Sequence, residues 1–390
     1  MKQDISKSIE ACAARYGDNA DAMRSYLLNG EKLAYELDNR GPIRFDESGK
    51  LAQDILDSYS KYGFYVFTQV LKSEELRDLE QDLERLRETF PAEPYGKVTK
   101  SGEPALGADC QSLNLIWAKP LGDPLGGTDL ANGRHQIKLY EPEAAENAPK
   151  EAPFVLMGSL QFSEACLRTY AHPELLKVAE AVNGKDFAPF HESLFIKDPG
   201  LGAAVSWHQD GDTHWNSDDF DEGSHGFNFM AQVYGSTAVN GVWVMPGSHK
   251  VGKIDIKALV EESGSERIDG MVPLVCDAGD VVICNRQLLH GSFPNSGFEP
   301  RITVNFGFHR RSSVLGVQGA GMHSQAEVYD EAVIAQRSKT IGYGIDARRQ
   351  RFPDEVPYTY EPFAQADKTY TWDDRARQEM KDYNLHDLSI

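Results

Sequence analysis

The chain has 390 residues, of which 41% are hydrophobic and 26% charged, and this ordinary globular composition excludes wholesale disorder. Sixty acidic against 40 basic residues give a net charge of −20, which argues against nucleic acid and anionic membrane surfaces as partners. No apolar run approaches the length of a membrane span. The length suits either two or three domains or one β-rich domain with insertions.

The cysteines and the N-terminus bear on location. The five cysteines are scattered, odd in number and without a CxxC pair, so no disulfide framework or zinc knuckle is predicted and a reducing compartment is favoured. The first residues lack the apolar segment of a secretory signal, which predicts a cytoplasmic protein. We expect a small-molecule substrate and leave a homo-oligomer open.

The first elements in chain order are helical. Residues 1–45 are polar, with a weak helical pattern at best, and residues 1–49 are predicted to form an N-terminal extension. Residues 50–62 predict an amphipathic helix ended by Gly63, and the aromatic and β-branched residues 64–67 predict a strand.

A second helix is predicted to follow, with Ser73 as its N-cap. Its leucines recur at spacings of three and four, which indicates packing on a core; they are Leu76, Leu79, Leu83 and Leu86. Residues 91–150 are rich in proline, glycine and charge and predict an insertion that helps to shape a substrate pocket. Residues 164–184 again predict a helix, stopped by Gly184.

The sequence pattern changes after residue 185. Short alternating or apolar runs are separated by turn residues, which favours an all-β sandwich or barrel; they are Glu192–Lys197, Phe227–Tyr234, Gly241–Met245, Asp280–Cys284 and Arg301–Phe308. We therefore predict one catalytic domain over residues 50–315 and a C-terminal extension, residues 316–390, that packs on it.

The segment around His208 carries the clearest chemical signal. In a strand, His208 and Asp210 project from the same face and can supply two ligands to one metal ion. His290, at the end of an apolar strand-and-turn segment, is the best candidate for a third ligand. Two histidines and one carboxylate form the facial triad of non-haem Fe(II) oxygenases, which leaves positions open for a chelating co-substrate and dioxygen. Asp212 and His214 stay open as alternative ligands.

Arg301 strengthens this interpretation. It begins an alternating strand eleven residues after His290, and an inward-facing arginine in a barrel is costly unless it is paired. Its planar guanidinium matches a carboxylate, so a dicarboxylate co-substrate can bridge the metal and Arg301. A structural ion pair with an acidic residue is the alternative.

Several motifs together resemble a known family. The segments WHQD (207–210), NGVWVMPGSHK (240–250) and LLHGSFPNSG (288–297), with Arg301, are similar to the phytanoyl-CoA dioxygenase (PhyH) family of Fe(II)/2-oxoglutarate oxygenases, over about residues 50–310. The resemblance implies a mainly β protein with flanking helices (α+β), whose core is a double-stranded β-helix, also called a jelly roll.

The resemblance also implies an activity and a set of site residues. The implied Fe(II) ligands are His208, Asp210 and His290; Arg301 holds the distal carboxylate of 2-oxoglutarate, Ser292 assists it, and His191 lines the co-substrate pocket. The implied reaction oxidises a C–H bond of a small organic molecule, most simply by hydroxylation, and converts 2-oxoglutarate and O2 to succinate and CO2. Two alternatives stay open: a cupin-like metal enzyme that does not use 2-oxoglutarate, and a non-catalytic binding protein on an oxygenase scaffold.

Overall fold

The computed structural model describes residues 4–211, 226–319 and 327–387, and its strands form two main sheets. The larger sheet contains, in spatial order, β1 (Arg40–Gly41), β2 (Phe64–Phe67), β10 (Val281–Asn285), β7 (Gly226–Gln232), β12 (Arg301–His309), β5 (Ala188–Lys197), β4 (Ala152–Met157) and β3 (Leu115–Ala118). The smaller sheet contains β6 (Val205–His208), β11 (His290–Ser292), β8 (Trp243–Val244) and β9 (Val272–Pro273). A separate pair joins β13 (Gln318–Gly319) to β14 (Glu327–Val328).

These two sheets form the predicted jelly roll. Neighbouring strands are antiparallel except β1 and β2, which run parallel. Alternation along β5 separates two environments: Leu194 and Ile196 join the outer hydrophobic core, whereas Phe195 faces the cavity between the sheets. The sheet pleat therefore decides which polar side chains reach the interior of the barrel.

Helices cover the outer faces of the sheets. They are α1 (Ser6–Ala14), α2 (Ala20–Glu36), α3 (Gln53–Tyr62), α4 (Ser73–Glu88), α5 (Glu164–Tyr170), α6 (Pro173–Asn183), α7 (Ile256–Ser263), α8 (Arg311–Val314), α9 (Glu331–Arg351), α10 (Glu361–Gln365) and α11 (Asp374–Glu379). Side chains of α3, α4, α5, α6 and α9 form the largest core cluster with the larger sheet. Of the leucines predicted to face a core, Leu79, Leu83 and Leu86 are buried. No helix among the described residues is long and apolar enough to cross a membrane.

The N-terminal helices cover the smaller sheet. Residues 1–45 were expected to be weakly helical at best, yet α1 and α2 lie there, and α2 buries Met23 and Leu27 in a cluster with Trp207 and Trp243. Gly30 permits this close packing, because a Cβ there would lie 2.2 Å from Cη2 of Trp243. Tertiary contact with two tryptophans therefore outweighs the low helix propensity of a mid-helix glycine.

The structure corrects two of the predicted helix boundaries and confirms a third. The helix predicted after Ser73 begins at Ser73 itself, with Lys72 as the N-cap, and the Glu75 carboxylate accepts a hydrogen bond from the Lys72 backbone N–H. The single helix expected over 164–184 is two helices, because Pro173 starts α6. Gly63 ends α3 as predicted, with φ of +82°.

Candidate metal and co-substrate site

The metal-ligand candidates meet on two paired strands. His208 ends β6 and lies opposite His290, which begins β11, while Asp210 follows two residues after His208. Their ligand atoms all lie within 4.8 Å of one another: Asp210 Oδ1 is 3.6 Å from Nε2 of His208, and Oδ2 is 3.9 Å from Nε2 of His290. The structure thus brings together the three residues that the sequence suggested.

Backbone carbonyls fix the tautomer of both imidazoles. Nδ1 of His208 donates to the Ser206 carbonyl at 2.8 Å, and Nδ1 of His290 donates to the Leu288 carbonyl at 2.8 Å. A carbonyl oxygen only accepts, so Nδ1 carries the proton and Nε2 keeps its lone pair for a metal ion. Burial, together with the neighbouring His290, also holds the pKa of His208 well below its usual value, so this ring is neutral.

Asp210 completes the donor set. Its side chain is 5% exposed, and Oδ1 has no hydrogen-bond partner. Burial opposes its charge, but Arg134, whose Nη2 lies 3.6 Å from Oδ1, and His290 outweigh that effect and lower the pKa of Asp210. A buried carboxylate with an unsatisfied oxygen, beside two available imidazole nitrogens, fits a divalent metal ion.

Gly291 lets the two strands approach closely. A Cβ on this residue would lie 2.5 Å from Cε3 of Trp207 and 2.9 Å from the Val205 carbonyl oxygen. Glycine between His290 and Ser292 is therefore required for the pairing of β6 with β11.

Arg301 lies inside the barrel. Its side chain is buried, and it donates from Nε to Thr303 Oγ1 at 3.0 Å and from Nη1 to the Asn240 carbonyl at 3.2 Å. Burial lowers the pKa of this guanidinium to about 10. In the part of the chain that the structure describes, no carboxylate pairs with Arg301, so the structural ion pair considered above is not seen there. The guanidinium remains available to a carboxylate ligand.

Ser292 and Arg301 both line the cavity, and Lys197 lies next to both of them. Lys197 is the cross-strand neighbour of Arg301, and its Nζ donates to Ser292 Oγ at 2.9 Å and to the Phe293 carbonyl at 2.5 Å. The sequence analysis did not identify Lys197. The pattern that could have identified it is the alternation along β5, which places Lys197 on the same inward face as His191 and Phe195.

His191 lines the opposite end of the cavity. It lies six residues from Lys197 along β5, or about 20 Å at the usual rise of a strand. Its Nδ1 is 3.8 Å from Oδ2 of Asp387, whose Oδ1 pairs with Nε of Arg337 at 2.5 Å. Arg337 also donates to the Phe190 carbonyl at 3.1 Å. The C-terminal segment thereby holds the strand that carries His191.

Two further residues of the site come from the insertion. His135 is buried and packs against His208, with the rings tilted by 35° and 4.3 Å between their centroids, and Arg134 lies close to Asp210. Sequence reasoning named neither residue, because residues 91–150 show no periodicity that would orient a side chain. Asp212 and His214, the alternative ligands, lie outside the described residues.

The triad and Arg301 line one cavity that encloses about 120 Å³. Its apolar walls come mainly from β3, β4, β5 and β7 and consist of Ile116, Leu125, Phe154, Val155, Met157, Phe190, Phe195, Val205, Met230 and Val242. Its polar groups concentrate at the triad, at Arg301 with its neighbours, and at His191 with Asn228 and Asn305. The arrangement combines a candidate metal-ligand cluster, a buried guanidinium and a mostly apolar lining.

A jelly roll with such a site is the architecture of non-haem iron oxygenases. The family model for phytanoyl-CoA dioxygenase (PhyH) matches residues 59–303, which is more than half of the chain. The chain belongs to the phytanoyl-CoA dioxygenase family. It is an Fe(II)/2-oxoglutarate-dependent dioxygenase, so the class implied by the sequence motifs is confirmed.

The chain is similar to several solved structures. One is EctD from S. alaskensis with 2-oxoglutarate and 5-hydroxyectoine, which is 19% identical, with a TM-score of 0.48 and coverages of 70% of this chain and 81% of that one. AviO1 from Streptomyces viridochromogenes Tue57 is 18% identical, with a TM-score of 0.42 and coverages of 69% and 97%. The non-heme alpha-ketoglutarate-dependent epimerase SnoN is 14% identical, with a TM-score of 0.41 and coverages of 64% and 77%. No curated protein sequence matches.

Proposed function

We propose that this dioxygenase hydroxylates a C–H bond of a small organic molecule, with Fe(II) held by His208, Asp210 and His290 and 2-oxoglutarate held by Arg301. The observation that carries the proposal is the convergence of the three candidate ligand residues in the same cavity as a buried arginine that pairs with no carboxylate of the described residues. The overall change is substrate–H plus 2-oxoglutarate plus O2 to substrate–OH plus succinate plus CO2.

Iron, when bound, supplies the redox chemistry that couples decarboxylation of 2-oxoglutarate to oxidation of the substrate. The residues of the chain bind and orient the iron and its co-substrate. Arg301 fixes the distal carboxylate of the co-substrate, which directs its 2-oxo acid end toward the triad. The carbonyls that hold His208 and His290 keep both Nε2 atoms deprotonated and aimed at one point. The apolar walls exclude water around the reacting C–H bond.

We also propose a division of the chain and a location. Residues 50–315 are the catalytic domain, with residues 1–49 and 316–390 as extensions; the packing of α1 and α2 on the smaller sheet and of α9 on the larger one supports this. A cytoplasmic location is supported by five cysteines that are all free.

The test is anaerobic addition of Fe(II) and then 2-oxoglutarate, followed by visible spectroscopy. The protein is expected to develop the charge-transfer absorption of a chelated 2-oxo acid, and His290→Ala and Arg301→Ala are expected to lose it. Arg375→Ala, which removes an arginine whose side chain is 87% exposed, is the matched control and should keep it. Turnover that proceeds without 2-oxoglutarate would refute the proposal and favour a cupin-like enzyme.

A further inference from the structure

Two buried basic side chains, Lys197 and Arg301, are cross-strand neighbours near the proposed co-substrate end of the cavity. Lys197 and Arg301 are directly opposite each other in the β5–β12 ladder, and they are 1% and 3% exposed. Like charges in this position destabilise a sheet unless something compensates them. Among the described residues no carboxylate lies within ion-pair distance of Lys197. Asp123 attracts it from further away, and its two oxygens accept hydrogen bonds from the backbone N–H groups of Gly126 and Leu139.

The hydrogen bonds of Lys197 suit an uncharged amine. Its Nζ has two acceptors, Ser292 Oγ and the Phe293 carbonyl, and a neutral amine has two N–H donors for them. An ammonium would carry a third N–H into a buried site. Burial and the nearby Arg301 both hold the pKa of Lys197 well below its usual value. The two-acceptor geometry and the lowered pKa both favour the uncharged amine of Lys197 beside the guanidinium of Arg301.

Ser292 connects this lysine to the cavity. Because Lys197 donates to its oxygen, the hydroxyl hydrogen of Ser292 is left to be donated elsewhere, and Ser292 and Arg301 line the same cavity. A carboxylate that reached Arg301 would lie beside this hydroxyl and would bring a negative charge close to Lys197. That charge favours the protonated lysine.

We propose that Lys197 is the second cation of the co-substrate subsite, and that it takes up one proton when the distal carboxylate of 2-oxoglutarate binds to Arg301 and Ser292. This inference rests on the proposed function. The proton comes from solvent, and no other bond changes. The subsite carries one positive charge when empty and two when filled, which selects a 2-oxo diacid over a 2-oxo monoacid.

The proposal has a consequence for pH dependence. A ligand that binds the protonated form of a group loses affinity as pH rises above the pKa of that group in the free protein, by about tenfold per pH unit. The affinity for 2-oxoglutarate is therefore expected to fall as the pH rises above the lowered pKa of Lys197 in the free protein. Within the described residues, the charged groups that act on Lys197 are Arg301, which opposes protonation, and Asp123, which favours it.

The experiment is calorimetric titration of the Fe(II)-loaded protein with 2-oxoglutarate, without oxygen and near neutral pH, in phosphate and in Tris. The dependence of the measured heat on the ionisation enthalpy of the buffer counts the protons taken up. The wild type is expected to take up roughly one proton more than Lys197→Met, and to bind at least about tenfold more tightly. Lys197→Arg, which keeps a permanent charge, is expected to match Lys197→Met in its proton count.

The outcomes separate this inference from the proposed function. Binding with equal proton counts in the wild type and both variants would overturn the role of Lys197 and leave the oxygenase assignment intact. Zero proton uptake in the wild type would overturn the role of Lys197 even if neither variant folds. Failure of the Fe(II)-loaded wild type to bind 2-oxoglutarate at all would refute the proposed function, and this inference with it.

Discussion

His135 and His208 share one hydrogen-bond acceptor: Nδ1 of each ring lies near the carbonyl oxygen of Ser206, at 3.1 Å for His135 and 2.8 Å for His208. The rings are also in contact, tilted by 35° with 4.3 Å between their centroids. His135 therefore restrains the orientation of the imidazole of a candidate metal ligand, although it comes from a segment without regular structure.

We predict that His135→Leu weakens metal binding. Loss of a residue that orients a ligand typically costs about 10- to 100-fold in metal affinity, and the buried leucine should preserve packing. Titration with Fe(II) under anaerobic conditions measures the change, and a denaturation curve confirms that the variant is folded. Unchanged affinity in a folded variant would mean that Ser206 alone sets the orientation of His208.

The tight contact at Gly291 predicts a coupled pair of mutations. Gly291→Ala should destabilise the protein by about 1–3 kcal/mol, because the new methyl group overlaps the Trp207 ring. The same substitution should cost clearly less in a Trp207→Leu background, where the ring is gone. Urea denaturation of the four proteins gives the coupling energy, and additive effects would contradict the contact.

Glu192 predicts a pH-dependent stability. Burial raises its pKa to about 7, although Ser159 and Tyr383 both donate hydrogen bonds to it. The folded protein therefore binds this proton more tightly than the unfolded chain, and stability falls as pH rises from about 4.5 through 7.

Glu192→Gln, which resembles the protonated acid, removes that loss. The stability of Glu192→Gln minus that of the wild type should therefore increase by up to about 3 kcal/mol as the pH is raised from acidic to mildly alkaline values. Denaturation midpoints at a series of pH values measure the difference. A constant difference across the series would show that Glu192 does not titrate in this range.

The buried pair of Arg337 and Asp387 predicts a strong stability effect near the C-terminus. Asp387→Asn leaves a fully buried guanidinium without its charged partner and should cost about 3–5 kcal/mol. Asp374→Asn, which breaks the exposed pair with Arg377, is the matched control and should change stability by less than about 1 kcal/mol. Equal effects in the two variants would contradict the importance of burial.

The metal cluster could be predicted from sequence for a physical reason. The two-residue period of a strand predicted that His208 and Asp210 share a face. In the structure β6 ends at His208, yet Asp210 still lies beside His208 and beside His290, which begins β11 after the turn that follows β10. The same alternation along β12 made Arg301 an inward cation. These inferences needed only local geometry.

Other parts of the site depend on tertiary contacts that local patterns do not encode. His135 reaches the triad from an irregular segment, and Asp387 reaches His191 from nearly two hundred residues away in the chain. The N-terminal helices were underestimated because their apolar residues are sparse. Met23 and Leu27 extend to an apolar helix face only if Gly30 is included. The sequence does not show that Gly30 belongs to that face, because its contact with Trp243 is visible only in the structure.

The ion pair of Arg337 and Asp387 has a consequence for the order in which the chain is completed. All three candidate metal ligands precede both partners of this ion pair, so a chain that stops before Arg337 contains the ligand residues but cannot hold the strand that carries His191 in this way. Removal of the C-terminal segment is therefore expected to affect the cavity wall at His191 and to leave the set of candidate ligands complete.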